Sequence, residues 1–159
     1  MQQVKNPAPL LSRRRLMAGT ALAVLGGGAA FYMSSLAPDY AGLSLYVQEA
    51  HRQAVAGDIT LVDIRRPDEW ELTGIGEGAH PLDMRRDDFT DALAALVPDR
   101  SALIALICAR GVRSARMANR MTKAGFSNII DVPEGMLGSA AGPGWLAADL
   151  PTLPYEEPT

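Results

Sequence analysis

The sequence predicts an α/β domain with a mainly parallel central sheet and helices on both faces. Segments rich in β-branched residues alternate with segments whose apolar residues recur at helical spacing, which is typical of parallel strands connected by helices. The unbroken apolar run at residues 103–107 is expected of a parallel strand that is covered on both faces. The chain has 159 residues, of which 48% are hydrophobic. This is enough for one domain with a single core.

The predicted elements follow in the order of the chain. Strands are predicted where β-branched and other apolar residues cluster, at residues 59–63, 103–107 and 128–132. Helices are predicted where apolar residues recur at helical spacing, at residues 45–56, 87–96 and 114–124. The first helix follows Ser44, a favourable N-cap, and the other two end before Pro98 and at Gly125.

Two segments are rich in glycine and proline. Residues 133–144 contain six such residues, which predicts a loop or a broken helix. Residues 151–159 contain three prolines, which predicts an extended tail. The folded domain is therefore expected over residues 38–150.

The amino-terminal segment, residues 1–37, has the pattern of an export signal or a membrane anchor. Ser-Arg-Arg-Arg-Leu-Met at residues 12–17 overlaps an uncharged run of 22 residues at 16–37. The arginine string resembles a twin-arginine signal. At about 1.5 Å per residue the run is long enough to cross a bilayer core of about 30 Å, so a retained membrane tether and a cleaved signal are both open. In both cases residues 38–159 are expected in the periplasm or facing it from the inner membrane.

Composition excludes several classes of function. The single cysteine, Cys108, excludes an internal disulfide, and with only two histidines a Cys/His zinc site is also excluded. We expect neither a metal nor a cofactor. Residues 38–159 carry 11 basic and 18 acidic side chains, a net charge of −7. Because phosphate contacts require a basic face, no nucleic-acid partner is expected.

The candidate site is residues 108–114, Cys-Ala-Arg-Gly-Val-Arg-Ser, between a predicted strand and a predicted helix. The carboxyl end of a strand is the usual place for a site in an open α/β sheet. Gly111 permits backbone angles that turn successive N–H groups inward, and these groups form an anion cradle with the helix N-terminus. We expect this cradle, with the guanidinium groups of Arg110 and Arg113, to stabilise a thiolate on Cys108. That thiolate would be the nucleophile toward an anionic substrate.

The pattern Cys-x-x-Gly-x-Arg-Ser at this position resembles the active-site loop of the rhodanese family of sulfurtransferases. Residues 63–70 agree, since Asp-x-Arg followed by Pro-x-Glu-aromatic is similar to a second family segment. Residues 125–138 resemble the late strand and Gly-rich turn of the family, and Trp145 stands where members often carry an aromatic residue. The resemblance covers residues 43–150 in the family's order.

The sequence departs from the family at one turn. Many members have Gly-His-Ile-Pro-Gly-Ala after the aromatic residue, whereas residues 73–80 read Thr-Gly-Ile-Gly-Glu-Gly-Ala-His. His80 is therefore interpreted as a loop or packing residue rather than a catalytic base. His51, on a predicted helix, is interpreted as a surface residue.

The resemblance implies a three-layer rhodanese-like domain with sulfurtransferase activity. It implies that Cys108 attacks the outer sulfur of a small anionic donor such as thiosulfate and forms a persulfide. That sulfur then passes to a thiol or other thiophilic acceptor, which can be a protein. Asp63 and Arg65 are implied to brace the active loop. The substrate-binding cradle is expected from the loop residues Ala109, Arg110, Gly111, Val112, Arg113 and Ser114.

Two alternatives stay open at this stage. The first is a non-catalytic exported module that carries or senses a persulfide and docks with a partner. The second is a phosphatase or an arsenate reductase. Four residues separate Cys108 from Arg113, a shorter loop than in the related cysteine phosphatases, whose wider cradle suits phosphate. The short loop favours sulfur chemistry.

Overall fold

A parallel sheet forms the centre of the fold. A computed structural model of the protein describes residues 38–157, in which five strands form this sheet: β1 (Leu43–Ser44), β2 (Thr60–Asp63), β4 (Ala79–Pro81), β5 (Ile104–Ile107) and β6 (Ile129–Val132). Their order is β1-β6-β5-β2-β4, and every neighbouring pair is parallel. Two further short strands, β3 (Ile75–Gly76) and β7 (Thr152–Leu153), pair with each other in antiparallel fashion. The central strands β5 and β6 are buried along their whole length, as expected where both faces are covered.

The helices cover both faces of the sheet and create two halves of the core. They are α1 (Val47–Ala56), α2 (Pro67–Thr73), α3 (Phe89–Leu96) and α4 (Val112–Lys123). On one face, α3 and α4 pack on alternate strand residues, with Phe89, Leu93, Met117 and Met121 against Val62, Ile104, Leu106 and Ile129. On the other face, α1 and the segment after β6 pack on the remaining strand residues, with Val47, Ala50, Met136 and Trp145 against Leu61, Ala105, Ile107 and Ile130.

The predicted fold class is confirmed, because helices lie on both faces of a parallel sheet. The three predicted strands and three predicted helices are all present, with their bounds shifted by up to two residues. The prediction for Ser44 is wrong. This residue ends β1, and the helix that follows has Tyr46 at its N-cap with no side-chain hydrogen bond. The last predicted helix begins earlier, at Val112, inside the candidate loop.

Several short elements were not predicted: α2, β1, β3, β4 and β7. Residues 133–144 form turns, as predicted. Residues 151–157 are irregular outside the short strand β7. Tyr155 lies against the ring of Trp70 with centroids 5.1 Å apart. The predicted signal or anchor at residues 1–37 lies outside the described residues. Within residues 38–157, no helix combines the length and the apolar character needed to cross a membrane.

Candidate active site

Cys108 lies immediately after β5, at the carboxyl end of the sheet, where its thiol is completely buried. The backbone N–H of Ser114 donates to Cys108 Sγ at 3.4 Å. The thiol in turn donates to Ser114 Oγ at 3.6 Å, and the Ser114 hydroxyl donates to the carbonyl oxygen of Gly111 at 2.9 Å. The sulfur therefore faces the first turn of α4, whose N–H groups have no partners within the helix. This is the polar environment that stabilises a negatively charged sulfur or an anion next to it.

The loop between β5 and α4 depends on Gly111. This residue has a φ of +79°, a left-handed conformation that other residues rarely adopt. A Cβ atom there would also collide with the carbonyl oxygen of Pro133. Gly111 is the N-cap of α4 and brings no side chain to the helix end, so the amides of that end are left for the sulfur. The predicted role of Gly111 in shaping a cradle is consistent with this geometry.

A turn after β6 fixes the backbone of the cysteine loop from the other side. Met136 N–H donates to the carbonyl oxygen of Cys108 at 2.9 Å, and Leu137 N–H donates to that of Ala109 at 2.8 Å. Gly135 has a φ of +70°, and a Cβ atom there would lie 2.5 Å from the oxygen of Ala109. The turn was predicted as a loop, but its contact with the cysteine loop was not.

Glu134 anchors that turn to the rest of the domain. Its carboxylate is buried and accepts the N–H of Val47 at the start of α1 and the N–H of Gly144, each at 3.1 Å. A buried carboxylate that replaces its water shell with backbone donors holds its segment in one geometry. Sequence reasoning quoted Glu134 within the Gly-rich turn but gave it no role.

The two predicted anion-binding arginines differ in the structure. Arg110 is exposed on the loop. Arg113, in the first turn of α4, forms a bidentate ion pair with Glu69 of α2, with N–O distances of 2.6 and 2.7 Å. The hydrogen bond to Glu69 raises the pKa of Arg113 against the effect of burial, and the neighbouring Cys108 also favours the charged guanidinium. Sequence reasoning did not find Glu69 as the partner of Arg113.

Glu69 stays ionised because of its hydrogen bonds. Burial opposes ionisation of its carboxyl, but hydrogen bonds from the Arg113 guanidinium and the Arg66 amide, with the charges of both arginines, outweigh burial and lower its pKa. A carboxylate paired in this way aims the guanidinium at one position. Glu69 therefore determines where the positive charge of Arg113 lies.

Asp63 and Arg65 form a buried pair beneath α2. Asp63 ends β2, and its carboxylate accepts Arg65 Nε at 2.9 Å and Nη2 at 2.7 Å. Arg65 also donates to the hydroxyl of Thr73 at 2.7 Å and to the carbonyl oxygens of Glu69 and Gly74 at 3.1 and 2.7 Å. The pair therefore holds α2 at Glu69 and at its carboxyl end. It is linked to the active loop through Glu69 and Arg113, and also through β2, where Asp63 is in register with Ile107 next to Cys108. The role of the pair as a brace of the active loop, which the resemblance implies, stays a prediction.

Neither histidine is positioned to act as an acid or a base at Cys108. His80 is exposed on β4, so it is in a strand rather than a loop. The interpretation of His51 as a surface residue is wrong. Its side chain is 20% exposed, its Nε2 lies 2.9 Å from Glu77 Oε2, and its ring packs edge-on against Trp145 at 5.3 Å. It is half-buried because α1, on which it lies, covers the half of the core that contains Trp145.

Asp131 is a buried acid near the site that sequence reasoning missed. It lies within β6 and is 5% exposed, and its Oδ1 atom has no hydrogen-bond partner among residues 38–157. Burial raises the pKa of Asp131 to about 6, although the Ser114 hydroxyl and the Val132 amide act in the opposite direction. The signal in the sequence was a single charged residue inside an otherwise apolar predicted strand.

Comparison with known proteins identifies a family and several relatives that resemble this chain. Residues 46–141 match the profile described as rhodanese-like domain. An uncharacterised protein of Rickettsia rickettsii is 31% identical over 98 residues, which cover 57% of this chain and 80% of that protein. A probable adenylyltransferase/sulfurtransferase of Mycobacterium tuberculosis, MoeZ, is 35% identical over 82 residues, which cover 52% of this chain and 20% of that protein.

A solved structure shows the same fold. The polysulfide-sulfur transferase homodimer from Wolinella succinogenes superimposes with a TM-score of 0.57 and 24% sequence identity. The alignment covers 73% of this chain and 81% of that one. At this identity the likeness concerns the fold.

Proposed function

The chain belongs to the rhodanese-like domain family, and we propose that it is a sulfurtransferase whose carrier is a persulfide on Cys108. One observation carries the proposal: the sulfur of Cys108 accepts the Ser114 N–H at the N-terminus of α4, where the loop leaves further amides for an anion. A thiolate stabilised in this way is both a nucleophile and a leaving group, and sulfur transfer requires both properties.

The proposed reaction has two displacements at sulfur. The Cys108 thiolate attacks the outer sulfur of a donor such as thiosulfate, so a Cys S–S bond forms while the donor S–S bond breaks and its electron pair leaves with sulfite. A thiolate acceptor then attacks the outer sulfur of the persulfide, which releases the Cys108 thiolate and gives an acceptor persulfide. Charge is conserved in both steps, and neither step needs an external oxidant or reductant.

The residues proposed to act in this reaction have distinct roles. Cys108 is the nucleophile, and the amides of the loop bind the anionic donor and the outer sulfur of the persulfide. These amides belong to Ala109, Arg110, Gly111, Val112, Arg113 and Ser114. The guanidinium of Arg113 adds positive charge at the site, and the exposed guanidinium of Arg110 attracts the anionic donor as it approaches. Asp63 and Arg65 support α2, and through it Glu69.

The test is an intact-mass measurement on the purified chain before and after treatment with thiosulfate. The expected result is one added sulfur atom on the wild type and none on Cys108→Ser, followed by loss of that sulfur and formation of an acceptor persulfide when a thiol is added. His80→Ala is the matched control, because it changes an exposed side chain and should load normally. Absence of loading with thiosulfate and with polysulfide would overturn the proposal.

The same measurement separates an enzyme from a carrier. Complete burial of the Cys108 thiol is the observation that favours a carrier, because a buried persulfide is protected from incidental acceptors. Repeated turnover with a small thiol supports the enzyme. Loading of one sulfur per chain that a small thiol does not remove supports the carrier, whose acceptor would then be a protein.

We also propose that residues 38–159 act outside the cytoplasm, on the basis of the arginine-led apolar segment at residues 12–37. A reporter enzyme that is active only in the periplasm, fused after residue 159, tests this. Activity of the fusion supports export, and its absence contradicts it. Loss of that activity in Arg13→Lys/Arg14→Lys supports the twin-arginine route, whereas unchanged export contradicts that route.

A further inference from the structure

Two peptide units of the Cys108 loop are held in one orientation by hydrogen bonds to their carbonyl oxygens. The oxygen of Cys108 accepts the N–H of Met136 at 2.9 Å, and the oxygen of Ala109 accepts that of Leu137 at 2.8 Å. Because a peptide unit is planar and trans, its N–H points opposite to its C=O. The N–H groups of Ala109 and Arg110 therefore point away from the turn that holds the two carbonyl groups.

These two N–H groups make no hydrogen bond to the protein. Within residues 38–157, neither the Ala109 amide nor the Arg110 amide donates to an acceptor. At the other end of the loop, the Ser114 amide donates to Cys108 Sγ at 3.4 Å. Loop amides that precede a helix and have no internal acceptor are typical ligands of anions. If either peptide unit rotated by half a turn, its carbonyl oxygen would repel an anion at the same place.

Glu134 anchors the turn that supplies Met136 and Leu137. Its carboxylate is 1% exposed, and it accepts the N–H of Val47 through Oε1 and the N–H of Gly144 through Oε2, each at 3.1 Å. No side-chain cation pairs with this carboxylate within the described part of the chain. Its negative charge is therefore balanced by backbone donors, one of which lies at the N-terminus of α1.

The turn is also held along its other side. Residues 144–146 run beside it, and their amides donate to the carbonyl oxygens of Gly135 and Met136 at 3.0 and 3.1 Å. The turn thus lies between this segment and the Cys108 loop. Glu134 fixes the point where the two sides meet, because its own hydrogen bond is to the first residue of the segment.

We propose that Glu134 is a positioning residue for anion binding at the Cys108 loop. By fixing residues 135–137, it keeps the carbonyl oxygens of Cys108 and Ala109 turned toward the turn, so that the Ala109 and Arg110 N–H groups face the anionic donor. Without this anchor the turn moves, and either peptide unit is free to rotate. The inference deepens the proposed function and rests on it in taking the Cys108 loop as the donor site.

The test measures sulfate binding to the full-length chain that carries Cys108→Ser, by heteronuclear NMR of the Ala109 and Arg110 amides. Sulfate has the charge and the tetrahedral shape of thiosulfate, and it should shift both amide resonances. Adding Glu134→Gln should raise the dissociation constant about tenfold or more, because hydrogen bonds to a charged ligand are lost. A glutamine offers one oxygen where the carboxylate offers two. Loss of a negative charge by itself would tighten sulfate binding, so the sign of the change separates positioning from charge.

Glu71→Gln is the matched control, because it removes the same charge from an exposed residue and should not weaken binding. Gly142→Ala decides the test if Glu134→Gln does not fold. A Cβ atom at Gly142 would lie 2.5 Å from Glu134 Oε2, so this variant displaces the carboxylate with its charge intact and should also weaken binding.

Unchanged or tighter sulfate binding in the folded variant would overturn the inference. The same conclusion would follow if the two amides did not respond to sulfate in the Cys108→Ser chain. Because no sulfur is transferred in this experiment, its failure is distinguishable from a failure of the persulfide to form.

Discussion

Two arginine–carboxylate pairs hold the same helix and differ mainly in their contact with water. Arg65 and Asp63 are at most 1% exposed, and every bond of the pair is made inside the protein. Arg113 and Glu69 make an equally short bidentate contact, but their side chains are 26% and 19% exposed. The buried pair cannot change its geometry without losing several hydrogen bonds at once. The half-exposed pair can exchange a carboxylate for a bound anion at small cost, which suits the site.

The largest expected effect is the destabilisation caused by Arg65→Met. Removal of one partner leaves Asp63 charged and buried, which should lower the free energy of unfolding by about 3–5 kcal/mol in a urea titration. Arg86→Met is the matched control, because the Arg86–Asp88 pair is exposed and its loss should leave the free energy of unfolding nearly unchanged. If Arg65→Met lowers the free energy of unfolding by less than about 1 kcal/mol, the buried pair is no more important for stability than the partly exposed one.

The next largest effect concerns the half-exposed pair. Arg113→Met should reduce the second-order rate of sulfur loading from thiosulfate about 100-fold, because positive charge is lost where the anionic donor binds. The free energy of unfolding should change by less than about 1 kcal/mol. Arg110→Met, which removes an exposed arginine from the same loop, should cost about tenfold or less. Equal losses for the two variants would show that net charge, rather than the placement made by Glu69, matters.

Asp131 extends the comparison to a buried carboxyl for which no ion pair with an arginine appears within residues 38–157. Its ionisation destabilises the fold, whereas that of Glu69 supports it. Its pKa in the folded state, about 6, lies above the ordinary value of 3.8, so ionisation destabilises the fold as pH rises through this window. Asp131→Asn should therefore stabilise the protein at neutral pH, by on the order of 2 kcal/mol. The gain should disappear below about pH 4, where both states of the aspartic acid are neutral. Urea titrations at the two pH values test this.

The smallest expected effect is that of Glu69→Gln on stability. The pKa of Glu69 is lowered in the folded state, so its ion pair stabilises the protein above the ordinary pKa of 4.5, and this contribution is lost as pH falls below it. Glu69→Gln should cost less than about 1 kcal/mol at neutral pH, and this cost should shrink as the pH falls from 4.5 through the lowered pKa of Glu69. A cost that persists in acid would show that Glu69 acts through packing rather than charge.

The central parts of the fold were predictable because their signals are local. The strand at residues 103–107 and the loop of Cys108 follow from an apolar run that ends at a cysteine, a glycine and two arginines. Helix α2 was missed because it has only seven residues, four of them polar, which is too short a segment to show a helical repeat of apolar residues. The short strands β1 and β4 were missed because two or three residues carry no periodicity.

The site was predicted less completely than the fold, for a similar reason. Arg113 was predicted as a charge for the substrate, but its pairing with Glu69 spans 44 positions and no local pattern encodes it. The contact of Met136 with Cys108 likewise joins two loops that are adjacent only because β5 and β6 pair. Residue types thus indicated the chemistry, and strand order determined which residues meet.

The two glycines of the site have a consequence for protein engineering. Gly111 excludes a side chain because of Pro133, and Gly135 excludes one because of Ala109, so each loop occupies space that the other leaves empty. The cysteine loop is therefore half of a two-part module. Transplanted by itself into another parallel sheet, it would lose the backbone donors at residues 136 and 137 and with them its shape. A successful graft would have to move both loops together, on adjacent strands in the same register.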